Sequence, residues 1–302
     1  MLLHAMVYTE YGSPEVLFSA DVEEPHAGPG QVRVQVRAAG VNPVDWKAVA
    51  GSMSGGIPLN GTAIPGFDVA GVIDEVGDGV EDVIVGDAVF GQSVGGSVAE
   101  YALLEEWAAK PADLAWEVAG ALNVVAETAV RVIDLLPLKP GNALLVDGAA
   151  GGVGLMVTQI AVTRGVTVLG TAAPRNHDLL RAIGAVPLTY GEGIAERARE
   201  LSPGGVQFAV DTAGKGSLPE LMALTGDPTR VVTIADRSAT SRGAHDTVSP
   251  ANRARSLRYV ADLIVEGKLK LPIAATYAMD EIVDAYKRSQ AGHVAGKIVL
   301  VP

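Results

Sequence analysis

Residues 149–154, Ala149-Ala150-Gly151-Gly152-Val153-Gly154, make a GxGxxG pattern with alanine in the first glycine place. Those residue types suit the cradling of a pyrophosphate, which needs a tight turn at Ala149, no side chain at Gly151 where the anion must approach, and none at Gly154 where a helix meets a strand. Glycine clusters also make ordinary turns, so the flanks decide. Residues 143–146 are a short apolar run suited to a parallel strand covered on both faces, and residues 152–161 stay apolar for longer than a strand usually does. Strand, turn and helix in that order aim the free N–H groups of the helix start at an anion. The stretch therefore reads as a dinucleotide-binding unit, with Ala149, Gly151, Gly152, Val153 and Gly154 against the phosphates.

The next strand bears on which dinucleotide. A unit selective for NAD places an acidic residue on the adenosine ribose about 20 residues past the motif. Residues 166–173 contain no Asp or Glu; Thr171, Arg175, Asn176 and His177 follow instead. A 2'-phosphate would meet a cation and hydrogen-bond donors there, without carboxylate repulsion. NADP is favoured on that reading, against the plainer one of Arg175 as a solvated helix-start residue.

The elements that must hold these residues follow from composition and pattern. At 302 residues the chain suits two domains of ordinary size, and 48% apolar residues with abundant Gly and Val suit an α/β protein. A net charge of -12 argues against a nucleic-acid or anionic-membrane partner. There is no cysteine, which excludes disulfides, thiol nucleophiles, iron–sulfur clusters and cysteine-ligated zinc. Residues 1–8 lack the basic start and long apolar core of a secretion signal, and no later run has the length of a membrane span, so a cytoplasmic protein is expected.

Residues 1 to about 120 read as β-rich and full of turns, with Val32, Val34 and Val36 on the inward face of an alternating strand. Glycines inside the strands at 65–77 and 85–91 predict bulges or close backbone approach. From Trp116 the pattern turns helical, with residues 119–136 one long alanine-rich segment ended by Pro137 and Pro140. Strands near 186–189, 206–211 and 229–235 alternate with helices, which predicts a doubly wound parallel sheet. Thr212, Ala213 and Gly214, and Ile234 with Ala235, end two of those strands, where such a sheet places its ligand crevice. Ser249 and Pro250 read as the N-cap and first residue of an amphipathic helix carrying Leu257, Val260, Ala261 and Ile264. A short helix around 280–290 and a strand from Lys297 complete the chain.

Gly40-Val-Asn-Pro-Val-Asp-Trp-Lys, Pro65-Gly-Phe-Asp-Val-Ala-Gly-Val, Val85-Gly-Asp-Ala-Val-Phe-Gly, Gly148-Ala-Ala-Gly-Gly-Val-Gly and His293-Val-Ala-Gly-Lys-Ile-Val-Leu stand in the order and spacing of the medium-chain dehydrogenase/reductase superfamily. The chain resembles its zinc-free quinone oxidoreductase branch over nearly its whole length. The resemblance implies a GroES-like substrate domain over 1–122, completed by 271–302, and a Rossmann NADP-binding domain over 123–270. It implies NADPH in the interdomain cleft, a homodimer, and reduction of quinones or of the C=C bond of enones and enals. Zinc alcohol dehydrogenases of the superfamily need a catalytic cysteine near Val44 and further cysteines for a structural zinc, so metal-assisted alcohol oxidation is excluded. By the same resemblance Asn42, Asp45 and Lys47 lie on the loop lining the nicotinamide end, Thr128 beside the nicotinamide, and Tyr190 near the adenosine 2'-phosphate. Asn123 stands where many relatives have proline and Val130 where an aromatic residue is common.

In the chemistry so implied, hydride reaches the β-carbon of an enone and charge grows on its carbonyl oxygen, where Asn42 or Lys47 could donate a hydrogen bond. Each candidate also has a plainer role. Asp45 could cap a helix beginning near Trp46, Asn42 satisfy loop backbone, Lys47 be solvated, Thr128 bond its own preceding turn, and Tyr190 simply end a strand. His293 and Lys297 read as structural. A pathway-specific enoyl reductase, or an NADPH-binding sensor with little turnover, is the alternative. A short-chain reductase is not, because no tyrosine has lysine four residues on.

Overall fold

The computed structural model describes residues 1–236, 238–247 and 252–302. The chain begins with an antiparallel hairpin, β1 (Leu2–Val7) and β2 (Phe18–Glu23), followed by β3 (Val32–Val41), α1 (Pro43–Val49), β4 (Asp68–Val76), β5 (Ala88–Val94), β6 (Tyr101–Ala109) and α2 (Trp116–Gly120). Strands β3 to β6 pair antiparallel in succession, and β3 pairs with β6 as well, so the four strands close on themselves. Closure leaves none of these four strands as a free edge. Val32, Val34 and Val36 point inward as their alternation predicts, and pack with Val69, Ile73, Val89, Ala102 and Leu104. Gly71 shows why a strand here needs glycine: a Cβ would stand 2.4 Å from the carbonyl oxygen of Gln35 on the neighbouring strand.

The long helix expected over 119–136 is two helices. After α2 the chain breaks at Ala121 and Leu122, and α3 (Asn123–Asp134) starts afresh. The cause is Asp68, whose Oδ1 accepts the Val124 N–H at 2.9 Å and the Asn123 Nδ2 at 3.0 Å. A carboxylate at a helix start satisfies donors that have no intrahelical partner and favours the positive end of the dipole. Close packing contributes too, since a Cβ on Gly120 would meet Ala38 at 2.7 Å.

Then come β7 (Ala143–Asp147), α4 (Gly152–Thr163), β8 (Thr167–Thr171), α5 (His177–Ala182), β9 (Val186–Leu188), α6 (Ile194–Leu201), β10 (Phe208–Asp211), α7 (Leu218–Thr225), β11 (Val231–Thr233) and β12 (His245–Asp246). All pairings among these strands are parallel, in the order β12-β11-β10-β7-β8-β9. The order reverses at β7, so this is the doubly wound sheet expected, with its switch point between β7 and β10. Leu145, Leu169, Ala209 and Val231 from the strands join Leu188, Leu218 and Leu221 in one core.

The last part holds α8 (Arg253–Val265), β13 (Ile273–Ala278), α9 (Ile282–Ala291) and β14 (Lys297–Val301). Ser249 and Pro250 lie outside the described residues; the N-cap seen is Asn252, whose Oδ1 accepts the Arg255 N–H at 3.0 Å. Leu257, Val260 and Ala261 form the buried face of α8. Strand β14 lies between β13, parallel to it, and β3, antiparallel.

By proximity the chain divides into Met1–Val124 with Asn252–Gly267 and Leu271–Pro302, and Val125–Ala251 with Lys268–Lys270. Helix α8 falls in the first unit, whereas the sequence division put it within 123–270. Its Arg253 meets Glu106 of β6 at 3.0 Å and Asn123 at 3.2 Å, both of that unit. Among the described residues no helix is long and apolar enough to cross a membrane.

Candidate functional site

The glycine turn joins β7 to α4 at the carboxyl edge of the parallel sheet. The residue that needs a left-handed backbone there is Gly148, with φ +83°, one place ahead of the Ala149 expected to make the tight turn. A Cβ on Gly148 would also stand 2.7 Å from the Thr212 Oγ1. Ala149 is buried and donates its N–H to the Thr171 carbonyl at 3.0 Å. Gly154 has the role its place predicts: a Cβ would stand 2.2 Å from the Gly148 carbonyl oxygen and 2.8 Å from the Ala149 Cα, so helix and turn touch backbone to backbone. Gly151 differs. A Cβ there would have only the Gly148 oxygen within 4 Å, at 3.5 Å, which leaves open space over the turn. Gly152 and Val153 open α4 beneath it, with N–H groups that no earlier turn can accept.

Around the turn the structure gathers Thr212, Ala213, Gly214 and Ala235 as well. Thr212 Oγ1 donates to the Asp147 carbonyl at 2.7 Å. The Ala213 and Gly214 N–H groups donate to Asp211 Oδ1, and a Cβ on Gly214 would stand 2.6 Å from that of Ala235. Ile234 donates its N–H to the Asp211 carbonyl and is half-buried. Thr171 departs from expectation. Its side chain is fully buried, its hydroxyl is spent on Asp147 Oδ1, and it accepts the Gly148 N–H at 2.9 Å. A hydroxyl has one proton to give, so Thr171 braces the turn and has none for a phosphate.

Two carboxylates missed in the sequence underlie this edge. Asp147 receives Thr171 and the Ser217 hydroxyl, the latter at 2.6 Å; Asp211 receives the Thr233 hydroxyl at 2.9 Å besides the two N–H groups. Burial pushes the Asp211 carboxyl above its ordinary range, the Gly214 N–H and Thr233 hydroxyl pull it back, and Asp147 adds repulsion. Strands ending in Asp followed by Thr or Gly were the available signal. It was hidden because a strand-end acid reads equally well as solvated.

Arg175 lies exposed on the turn after β8, with Asn176 half-buried behind it. His177 is turned back, its Nε2 3.2 Å from the Ala172 carbonyl. Tyr190 follows β9 and is 48% exposed, not a half-buried strand end. Since β9 pairs with β8, Tyr190 and Arg175 leave neighbouring strands at the same edge.

In the other unit α1 separates its three candidates. Asn42 caps the helix, and its side chain is buried: Nδ2 donates to Asp68 Oδ2 at 2.8 Å, while Oδ1 accepts from Lys297 Nζ. Both ends of the amide are therefore used internally. Asp45 is 1% exposed and supplies one half of a capping box by accepting the Asn42 N–H at 2.6 Å, while its own N–H goes to the Asn42 backbone carbonyl at 3.1 Å. Burial, reinforced by Asp68, pushes its carboxyl up to about 8. Its position is that of a structural residue, not one facing substrate. Lys47 alone is exposed, with its ammonium 5.5 Å over the Trp46 ring. Lys297, read as structural, donates to the Val41 carbonyl at 2.9 Å and pairs with Asp68 at 3.4 Å. On α3 Thr128 is buried, and its hydroxyl oxygen lies 3.4 Å from the guanidinium of Arg131, which Glu127 holds at 2.7 Å.

Residues 28–113 match the family model described as an alcohol dehydrogenase GroES-like domain, and residues 188–300 match one described as a zinc-binding dehydrogenase. The chain is 29% identical to a quinone-oxidoreductase homolog of Spinacia oleracea, over 100% of this chain and 99% of that one. It is 31% identical to a 2-methylene-furan-3-one reductase of Solanum lycopersicum, over 99% of this chain and 79% of the relative. The chain belongs to the quinone oxidoreductase branch of the medium-chain dehydrogenase/reductase family. A mycobacterial member of known structure, complexed with NADPH, superposes with a TM-score of 0.85 at 27% identity, over 99% of this chain and 100% of that one. As in the family, a GroES-like β-rich unit accompanies a Rossmann-like unit of the kind that takes NADH or NADPH. The zinc named in one model's description has no cysteine ligand to draw on in this member.

Proposed function

We propose that the chain is an NADPH-dependent reductase acting, without a metal, on a quinone or on the C=C bond of an α,β-unsaturated carbonyl compound. The observation that carries this reading is the open space over Gly151 beside the start of α4, at an edge where β8 ends without a carboxylate and Arg175 and Tyr190 stand exposed. A dinucleotide pyrophosphate fits such a cradle, and a 2'-phosphate fits a cation and a phenol. The relatives named for quinone and furanone reduction support the substrate class, and the NADPH-bound neighbour supports the cofactor.

Ala149, Gly151, Gly152 and Val153 would hold the pyrophosphate, Gly154 would let helix and turn approach, and Ala213, Ile234 and Ala235 would border the dinucleotide. Thr212 would act by bracing the turn. When bound, NADPH supplies the hydride. Lys47, the exposed cation of α1, is assigned to the substrate oxygen where negative charge builds, and Thr128 to positioning the nicotinamide. Ordering the reactants is worth about 7–11 kcal/mol of barrier, so such an enzyme needs little acid–base chemistry of its own. Water is assigned as the proton source for the α-carbon. A homodimer is proposed from family resemblance, and light scattering of the purified chain tests it.

A panel of quinones, enones and enals, followed by NADPH loss and by product identification, tests the activity. Turnover of at least one class with a saturated carbonyl compound or a hydroquinone as product is expected. NADPH binding with no turnover anywhere would leave a sensor, and alcohol oxidation as the sole activity would contradict the reading.

A further inference from the structure

We propose that Arg197 sets the preference for a 2'-phosphorylated dinucleotide by holding the loop that carries Tyr190, an inference that rests on the NADPH reading above. Residues 189–193 connect β9 to α6 and include Gly191 and Gly193, both with left-handed backbone, at φ +97° and +76°. Two such glycines leave a loop with many conformations to lose. Arg197, one turn into α6, reaches back and fixes it. Its Nε and Nη2 donate to the Thr189 carbonyl at 3.2 and 3.0 Å, Nη2 also to Gly191 at 2.9 Å, and Nη1 to Glu192 at 2.7 Å.

The three carbonyls flank Tyr190 on both sides, and only a planar fork can serve them together. Every acceptor is neutral, and among the described residues no carboxylate pairs with Arg197, so its charge is not cancelled where it lies. Tyr190 itself is half exposed, and among the described residues its hydroxyl has no partner. A ring so placed, on a loop fixed from behind by a cation, is pre-organised for an anion. NADH lacks that phosphate and gains nothing from the loop. Arg197 is thus a positioning residue, acting on the cofactor through Tyr190.

Calorimetric titration of the full chain with NADPH and with NADH tests this directly. Arg197→Met should weaken NADPH about tenfold, with NADH within about twofold of the wild-type value. Arg197→Lys keeps the charge but not the fork and should recover less than half of the loss on a logarithmic scale. In a double-mutant cycle, Tyr190→Ala should add little in the Arg197→Met background, because one contact has already been lost. Should Arg197→Met fail to fold, Arg197→Lys and the cycle built on it carry the test. Equal weakening of both cofactors, no weakening of either, full recovery by lysine, or additive single effects would overturn the inference. A wild-type chain without preference for NADPH would instead overturn the underlying reading, and this inference with it.

Discussion

Asp45 and Lys47 lie two residues apart on α1 and have opposite environments: one is sealed against Asn42, the other stands over Trp46 in solvent. In sequence both looked like polar residues of one cleft loop. The short helix rotates them onto different faces, and no pattern of four residues could say which. The cap was half legible: the plainer reading had Asp45 capping a helix from near Trp46, whereas α1 starts at Pro43 with Asn42 as its N-cap and Asp45 in the first turn. What could not be read was that the carboxyl would be buried deeply enough for its charge to be costly. Its folded pKa, about 8, lies above the ordinary value of 3.8, so folding favours the protonated form. That contribution is full below pH 3.8 and is lost as pH rises toward about 8. Asp45→Asn keeps the acceptor for the Asn42 N–H and does not titrate. Denaturant unfolding at several pH values from about 5 to 8 should show wild-type stability falling relative to the variant by about 1 kcal/mol per pH unit. Parallel curves would mean that Asp45 titrates normally.

At the scale of elements, the glycine turn was legible because its demands are local. Strand, turn and helix are contiguous in the chain, and Gly154 has the close contact its place requires. Two substitutions separate its structural from its binding role. Gly154→Ala drives a Cβ into the Gly148 carbonyl and should cost at least about 2 kcal/mol of stability, whereas Gly151→Ala meets no atom nearer than 3.5 Å. The second variant should melt like wild type yet bind NADPH and NADH at least about tenfold more weakly, as scanning calorimetry and fluorescence titration would show. The break between α2 and α3 was not legible, because Asp68 makes it from 55 residues away. Asp68→Ala would strip the start of α3 and leave Lys297, 4% exposed, without its carboxylate. A loss of about 3–5 kcal/mol in urea unfolding is expected. A loss under about 1 kcal/mol would show that the break forms without it.

For the whole molecule, alternating strands and helices with one apolar strand before the turn were enough to give the doubly wound sheet, and spaced glycines and valines a β-rich unit full of turns, but not its closure through β3 and β6. Three further things were not legible: α8 reads as amphipathic but does not say which core it faces; the strand-end acids Asp147 and Asp211 are indistinguishable by type from solvated ones; and Thr171 reads as a phosphate donor until its hydroxyl is seen to be committed. Each depends on contacts far apart in sequence. The proposal at this scale is a 2'-phosphorylated reductant held by the turn after β7 and by the ends of β8 and β9. Paired calorimetric titrations of the wild-type chain with NADPH and NADH test it most directly. NADPH is predicted to bind at least about tenfold more tightly, an advantage that shrinks with added salt as a charge contact must. Binding of neither, or tighter binding of NADH, would contradict it.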